Sequence, residues 1–327
     1  MTEQKSTYQV KQIGIKDFDL LIPLMKDSFG LDVNTAFFNW KYKENPSGEF
    51  IGFVAVSENG EIAAYYGVIP ETYVVEGRQK LVYQSCDTMT HSAHRRKGLF
   101  QLLANHCYDY LRAQNKLFIV GYGGRMSLPG FLKFGWREVT TVQQVIYPAL
   151  FSSFGLPKEL SGYVVEKITD VSLVGHLLGK SNSHTVIYSL KNVNIFSWRL
   201  ANPLHNYRLY AARNAGGNVE GYICYYLERG RIYIFDLYAE NSMAEKTLLR
   251  QVKSELAEKK QKMIQVLCSR NSYLCKTLMK NGFVTSPFEK WPERLSQSII
   301  FYSTEELMDK YSEAECWNFT PFDHDTL

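Results

Sequence analysis

The sequence predicts a mixed α/β protein made of two tandem copies of one fold, each a mixed, mostly antiparallel sheet flanked by helices. Three observations predict it. Short motifs recur in the same order in both halves of the 327 residues. Each half runs antiparallel strands, then a helix, then another strand, which is the grammar of a mixed sheet with helices on its faces. Only the first half carries a basic, glycine-containing loop between strand and helix.

The repeat has three parts. Tyr8-Gln-Val-Lys-Gln-Ile13 is echoed by Tyr163-Val-Val-Glu-Lys-Ile168. Phe38-Asn-Trp40-Lys41, with Asn45-Pro46 beyond it, is echoed by Phe196-Ser-Trp198-Arg199 and Asn202-Pro203. Lys133-Phe-Gly135-Trp136 is echoed by Lys280-Asn-Gly282-Phe283. Between these, 50–57 and 61–69 read as a hairpin about Asn59-Gly60, a type I′ signal. Residues 81–90 read as the next strand. A helix starts at Leu99, with Leu99, Leu102, Leu103, Cys107, Tyr110 and Leu111 on its apolar face. Leu117-Phe-Ile-Val-Gly121 is a short buried strand. The second half gives strands at 207–212, 220–228 and 231–238. A helix follows with Met243, Leu248, Leu249, Val252 and Leu256 apolar, then a strand over Met263–Cys268. The domain boundary falls in 148–162, where proline, serine and glycine cluster. The expected domains are 1–150, with the chemistry, and 151–327, which adds a C-terminal tail.

Composition excludes several classes. Hydrophobic residues at 45% and charged residues at 21% suit a folded globule rather than disorder. Nothing approaches 18 consecutive apolar residues, and the polar start lacks a signal-peptide core, so a cytoplasmic protein away from the membrane is expected. The six cysteines form no CxxC pair, so they read as buried thiols and no metal site is expected. A net charge of +4 leaves no case for a nucleic-acid partner. Oligomeric state is not legible.

The chemistry concentrates in Asp87-Thr-Met-Thr-His-Ser-Ala-His-Arg95-Arg96-Lys97-Gly98-Leu99-Phe100. A strand, a basic turn and a helix N-terminus make an anion site: unpaired N–H groups and the positive dipole end point outward. Each such helix-end interaction contributes about 0.3–1 kcal/mol when exposed, and three cations add charge-assisted hydrogen bonds. The plainer reading is an exposed basic helix cap. In the second half the corresponding stretch is Ala239-Glu240-Asn241-Ser242-Met243-Ala244-Glu245. It lacks the cations, and its carboxylates would repel a diphosphate.

Here Arg95 and Gly98 resemble the pyrophosphate signature of the GNAT superfamily of N-acyltransferases; Phe100 departs from the small residue usual at its position. The segment from Gly121 through Phe131 to Trp136 resembles the superfamily's later strand, helix and glycine-aromatic ending. The resemblance covers 8–147, and the repeat extends it to about 285. It implies acyl-CoA as co-substrate and no metal, with Met89, Thr90, Arg95, Arg96, Lys97, Gly98, Leu99, Phe100 and Phe131 around it. It also implies direct attack of an amine on the thioester. The tyrosine acid usual in the superfamily is replaced by Phe131, which leaves Tyr122 or Ser127 as acid candidates and Asp87 as a candidate base. Each also has a structural reading.

Trp40, Tyr42, Asn45, Trp198 and Arg199 are candidates for an acceptor pocket, against the plainer reading of core anchors and turns. Resemblance to tandem GNAT proteins of polysaccharide biosynthesis implies a nucleotide-linked amino sugar as acceptor, such as dTDP-3-amino-3,6-dideoxyhexose, and an acetyl or 3-hydroxybutyryl donor. The rivals are transfer to peptides, transfer from aminoacyl-tRNA, and a non-catalytic acyl-CoA sensor. Asp323-His-Asp325 reads as part of a tail packing back on the body.

Overall fold

The computed structural model describes residues 8–124, 127–154, 162–182, 185–286 and 297–324. The expected boundary at 148–162 and Asp325 therefore lie partly or wholly outside the described residues.

In chain order the first half contains β1 (Tyr8–Ile13), α1 (Ile22–Phe29), α2 (Thr35–Phe38), β2 (Ile51–Ser57), β3 (Ile62–Val75), β4 (Arg78–Thr90), α3 (Leu99–Ala113), β5 (Phe118–Gly124), α4 (Leu128–Lys133), β6 (Arg137–Thr141) and β7 (Gln143–Pro148). Then come β8 (Tyr163–Ile168), β9 (Ile187–Ser189), α5 (Val193–Leu200), β10 (Arg208–Asn214), β11 (Val219–Glu228), β12 (Arg231–Ala239), α6 (Ser242–Glu258), β13 (Met263–Cys268), α7 (Tyr273–Lys280), β14 (Val284–Thr285), β15 (Gln297–Ser303) and α8 (Glu305–Lys310).

Two mixed sheets result, as the sequence predicts. The first has the order β1-β2-β3-β4-β5-β15-β6, with β9 on β3, and the second has β8-β10-β11-β12-β13-β7-β14. Each has one parallel pair among the described strands, β4 with β5 and β12 with β13. The sixth place in each order is filled by a strand from the other half of the chain. β15 lies between β5 and β6, while β7 lies between β13 and β14. A cut at residue 150 therefore leaves the first sheet without β15 and the second without β7.

The three repeated motifs occupy matching places. β1 and β8 are the edge strands beside β2 and β10. The Lys-x-Gly-aromatic motifs end α4 and α7. Gly135 and Gly282 stand at φ 85 and 83, where a side chain would be strained. Trp136 N–H donates to Phe131 O and Phe283 N–H to Leu278 O, closing a Schellman cap in each. The two asparagines make Asx turns: Asn45 Oδ1 accepts from Ser47 N at 2.9 Å and Asn202 Oδ1 from Leu204 N at 3.0 Å. Trp40 Nε1 donates to Trp198 O at 2.6 Å, Trp198 Nε1 donates to Trp40 O at 2.7 Å, and the rings stack 5.4 Å apart. Such reciprocity is the signature of a two-fold relation.

Three local expectations need correction. Only Gly60, not Asn59, has positive φ, so the 57–61 turn is not type I′. Positive φ at both central residues occurs at Glu76-Gly77 and Arg229-Gly230, the hairpin tips of β3–β4 and β11–β12. The buried face of α3 is Leu99, Leu103, Ala104, Cys107, Tyr108 and Leu111; Leu102 is half-buried and Tyr110 exposed. Met243 is exposed on α6, one position before its buried stripe begins at Ala244.

Helices α3 and α6 cover one face of each sheet. Leu103, Cys107 and Leu111 pack on the first, and Leu248, Leu249, Val252 and Leu256 on the second. A shared core of Phe118, Val120, Leu267, Phe301, Trp317 and Phe319 joins the halves. No helix among the described residues is long and apolar enough to cross a membrane.

Candidate active site

The site begins with a break in the first sheet. β4 and β5 pair only at Tyr83–Ile119 and Gln84–Val120. Beyond that, β4 stays on β3 as far as Thr90 and β5 stays on β15 as far as Gly124, so the two strands part. A bulge helps to bend β4. Two residues of β3, Tyr65 and Gly67, pair with Met89 and Cys86, which are three apart, and Asp87 within the bulge has φ 48.

Asp87 is held in this conformation by polar partners. Lys41 Nζ lies 2.7 Å from Asp87 Oδ2, and Tyr42 donates its hydroxyl to the same oxygen at 2.5 Å. Lys41 is fully buried, so Asp87 is its counter-ion. Burial first, then the Asp87 charge, pushes the Tyr42 hydroxyl far above its ordinary pKa. Lys41 and Tyr42 come from a π-helical turn, Asn39–Lys43, that aims both at the bulge.

At the mouth of the gap lies the basic loop. Gly98 stands at φ 74 as the residue preceding α3, and no side chain caps that helix. Arg95, Arg96 and Lys97 are exposed beside it. Asp27 of α1 pins the turn, accepting from Ser92 N at 2.7 Å and from Ser92 Oγ at 2.8 Å. Those two bonds hold the Asp27 carboxyl below its usual range. Arg95 Nε donates to Thr90 O at 3.3 Å. Met89 and Leu99 are buried beneath the loop. Phe100 packs against Phe131, Phe134 and Tyr66, and Gly130 gives its ring room: a Cβ there would come within 3.2 Å of it. The large residue at this position is thus turned into the α3–α4 contact.

The second half repeats the strand bulge and a buried ion pair, Lys191 with Asp236, but lacks the uncapped basic helix end. Helix α6 is capped by Asn241, whose Oδ1 accepts from Met243 N and Ala244 N at 3.0 Å each. Glu240 is paired with Lys180 at 2.5 Å. β12 and β13 also part after three pairs. The tail runs along that opening: Ser269 N, just past β13, donates to Phe319 O, and Phe322 packs on Phe235 of β12. Arg199 donates to Phe322 O and His324 O. The expectation that the tail packs back on the body agrees with this geometry.

A cavity of about 670 Å³ opens beside the first gap. Its walls include Ser85, Cys86, Asp87 and Thr88 of β4, with Tyr122, Gly124, Ser127 and Phe131 from the β5–α4 segment. α1, α2 and their connection add Met25, Phe29, Leu31 and Phe37. The second half adds Leu204, His205, Glu228 and Arg229, and the C-terminal region adds Gln297 and His324.

Of the residues named from sequence, Asp87, Tyr122, Ser127 and Phe131 meet at this cavity. The acceptor candidates do not. Trp40, Tyr42, Asn45, Trp198 and Arg199 are all buried and none lines it. The tryptophans are spent on each other, Asn45 Nδ2 donates to Pro70 O at 2.9 Å, and Arg199 holds the tail. Tyr122 directs its hydroxyl to that of Tyr73, 3.5 Å away, and its ring stacks on His324. Burial first, then Tyr73 and Asp323, raises the Tyr122 hydroxyl well above its ordinary pKa. Ser127 Oγ is bonded within its own turn, to Gly124. Sequence reasoning passes over Glu228, Arg229, Gln297 and His324; for His205 it leaves a place in a cleft open beside the plainer reading of a surface loop residue. The Asn202-Pro203 turn was the available signal for His205, because it aims the next residues inward.

Comparison with known proteins agrees with this geometry. Residues 9–139 match the family model described as Acetyltransferase (GNAT) domain. No curated protein matches the chain by sequence. Among solved structures, a probable N-acyltransferase of Enterococcus faecalis V583 superposes with TM-score 0.69 at 12% identity, over 92% of this chain and 73% of that one. A GCN5-related N-acetyltransferase from Anabaena variabilis gives 0.65 at 14%, over 90% and 72%. Saccharomyces cerevisiae N-myristoyltransferase with bound myristoyl-CoA gives 0.61 at 13%, over 92% and 80%. At these identities the likeness is one of fold. The family match spans the parted strands, the bulge and the uncapped basic helix, so the chain carries a GNAT acetyltransferase domain over residues 9–139 and is a CoA-dependent N-acyltransferase.

Proposed function

We propose that the chain is two copies of the GNAT fold, 1–150 and 151–327 with their sixth strands exchanged, of which the first alone binds acyl-CoA. The observation that carries this is the contrast between the helix ends: α3 is uncapped among three cations, whereas α6 is capped by Asn241 beside Glu240. Arg95, Arg96 and Lys97 would hold the diphosphate with the first N–H groups of α3. Met89 and Thr90 would run beside the thioester arm in the gap, with Phe131 and Phe100 walling its end. Bound there, acyl-CoA supplies the activated acyl group. The amine is proposed to attack the thioester directly, and the parted β4 backbone offers N–H donors to the oxyanion.

The acceptor is proposed to be the amine of a small molecule in the 670 Å³ cavity, a volume within the usual range of ligand sites. A nucleotide-linked amino sugar such as dTDP-3-amino-3,6-dideoxyhexose, receiving an acetyl or 3-hydroxybutyryl group, is the specific candidate. Phe29 and Phe37 could stack on a base, and Arg229 could meet a phosphate. A second reading is favoured by the lining itself. Met25, Phe29, Leu31, Phe37 and Leu204 form an apolar wall, and Arg229 is the one lysine or arginine among the described lining residues. That suits an amine on an apolar body, or a peptide N-terminus.

Calorimetry with CoA, followed by an acylation panel, tests both levels. One CoA per chain is expected, lost in the double variant Arg95→Glu, Gly98→Asp. Two sites per chain, or unchanged binding in that variant, would overturn the assignment. Turnover of nucleotide-linked amino sugars and not of apolar amines would select the first acceptor class, and the reverse the second.

A further inference from the structure

We infer that His205, braced by Glu228, is the base that takes the proton from the acceptor amine, so that the half without a cofactor site supplies a catalytic residue to the other. This rests on the proposed function and deepens it. The second half reaches the cavity through two adjacent pieces: the loop after α5 and the β11–β12 hairpin tip. The loop is shaped by the repeated Asn-Pro turn, with His205 N donating to Asn202 O at 3.3 Å. His205 lines the cavity while its side chain is only 10% exposed. Its Nδ1 faces Glu228 Oε2 at 3.8 Å, and its ring lies on Tyr226 at 4.2 Å between centroids. A histidine on a cavity wall with a carboxylate near one ring nitrogen, able to meet the charge when the ring takes a proton, suits general-base chemistry.

The other candidates are less suited. Asp87 Oδ2 is engaged by both Lys41 and the Tyr42 hydroxyl. The Tyr122 hydroxyl is turned to Tyr73. His324 Nε2 accepts from the Gln297 amide at 3.0 Å. Among the described residues, the charged and titratable groups around His205 are Glu228, Arg229, Tyr207 and Tyr226, with Cys86, Asp87, Tyr122 and His324 on other walls of the same cavity.

The step balances without another reactant. One proton of the protonated amine passes first to an imidazole nitrogen of His205; the neutral amine then attacks, the C–N bond forms, the C–S bond breaks to release the thiolate, and the nitrogen's second proton goes to water. The Glu228 carboxylate stabilises the imidazolium, which returns its proton to the thiolate or to water.

The test uses the full-length protein, an acyl-CoA and two amines. One is a strongly basic alkylamine, protonated at neutral pH; the other is a weakly basic arylamine, already neutral. With the alkylamine, His205→Gln is expected to lower kcat/KM by at least ~100-fold, the usual worth of a general base, and to abolish the acid limb of its pH profile. The loss with the arylamine should be much smaller, and CoA affinity should stay unchanged. Glu228→Gln should move the acid limb to lower pH. His106→Gln, an exposed change on α3, should match wild type. Equal losses with both amines, or an acid limb that survives in His205→Gln and disappears in His324→Gln, would overturn the inference while leaving the proposed function standing. If wild-type protein binds CoA but acylates no amine, both fail.

Discussion

At the scale of single residues, the site depends on buried charges that cancel. Lys41 has no exposed surface, and Asp87 Oδ2 is 2.7 Å from it. Removing the carboxylate leaves a buried cation without a counter-ion, which costs about 3–5 kcal/mol. Asp87→Ala is therefore expected to lower the melting temperature sharply, as followed by circular dichroism. Adding Lys41→Met should recover most of the loss, since an apolar replacement of both partners is often neutral. Activity should not return with stability, because the β4 bulge would no longer be held. Asp87 was legible in the sequence as a residue of the site, for it precedes a basic turn on a strand. Its ion pair was not, because Lys41 lies 46 positions earlier in a turn that reads as core.

Among elements, the tail over 320–324 is the one whose role only packing explains. Asp323 is buried, accepts from Thr320 N at 2.6 Å and Thr320 Oγ at 2.9 Å, and its backbone carbonyl accepts from Gln84 Nε2 of β4. Burial raises the Asp323 carboxyl above its ordinary pKa, against the pull of Lys191, Ser189 and Thr320. The sign follows from linkage: the folded state holds this proton more tightly than the unfolded chain. Stability contributed here is full below the ordinary carboxylate pKa. It falls as pH rises from there through the raised value, and is level above it. Thermal melts of wild type across that window should fall with pH, and Asp323→Asn should remove that part of the slope. An unchanged slope in the variant would show that the tail's charge plays no part in holding it down.

For the whole molecule, the exchanged strands make the halves interdependent. β5 and β6 meet only through β15, and β13 and β14 only through β7. Residues 1–150 expressed alone should lack a stable fold by circular dichroism, because the edge of β5 would be left unpaired and its apolar faces uncovered. Co-expression with 151–327 should yield a complex that co-purifies and binds one CoA. A soluble, cooperatively melting 1–150 fragment would contradict this. The Trp40–Trp198 pair serves the same union, so alanine at either position should cost about 3–5 kcal/mol, with the double change well short of additive.

What the sequence by itself determined was whatever depends on neighbours in the chain. Alternation and periodicity set most strands and both long helices, Arg95–Gly98 stood out as a basic turn before a helix, and the recurrence of Tyr…Ile, Trp…Asn-Pro and Lys-x-Gly marked matching places in the two sheets. Even locally, propensity left a choice at Asn59-Gly60, where one residue and not two takes positive φ. Tertiary structure decided what depends on distant partners. Gln297–Ser303 is a short apolar strand with no local sign of which sheet it joins, and β7 likewise. A buried aromatic such as Trp40 has the same composition whether it faces a ligand or another tryptophan, and only the opposing surface distinguishes the two. The cavity is a meeting of α1, β4, a loop at 204–205, a hairpin tip at 228–229 and a tail at 324. Its chemistry is therefore written in residues that no sequence window brings together, and close packing of the two halves is what assembles it.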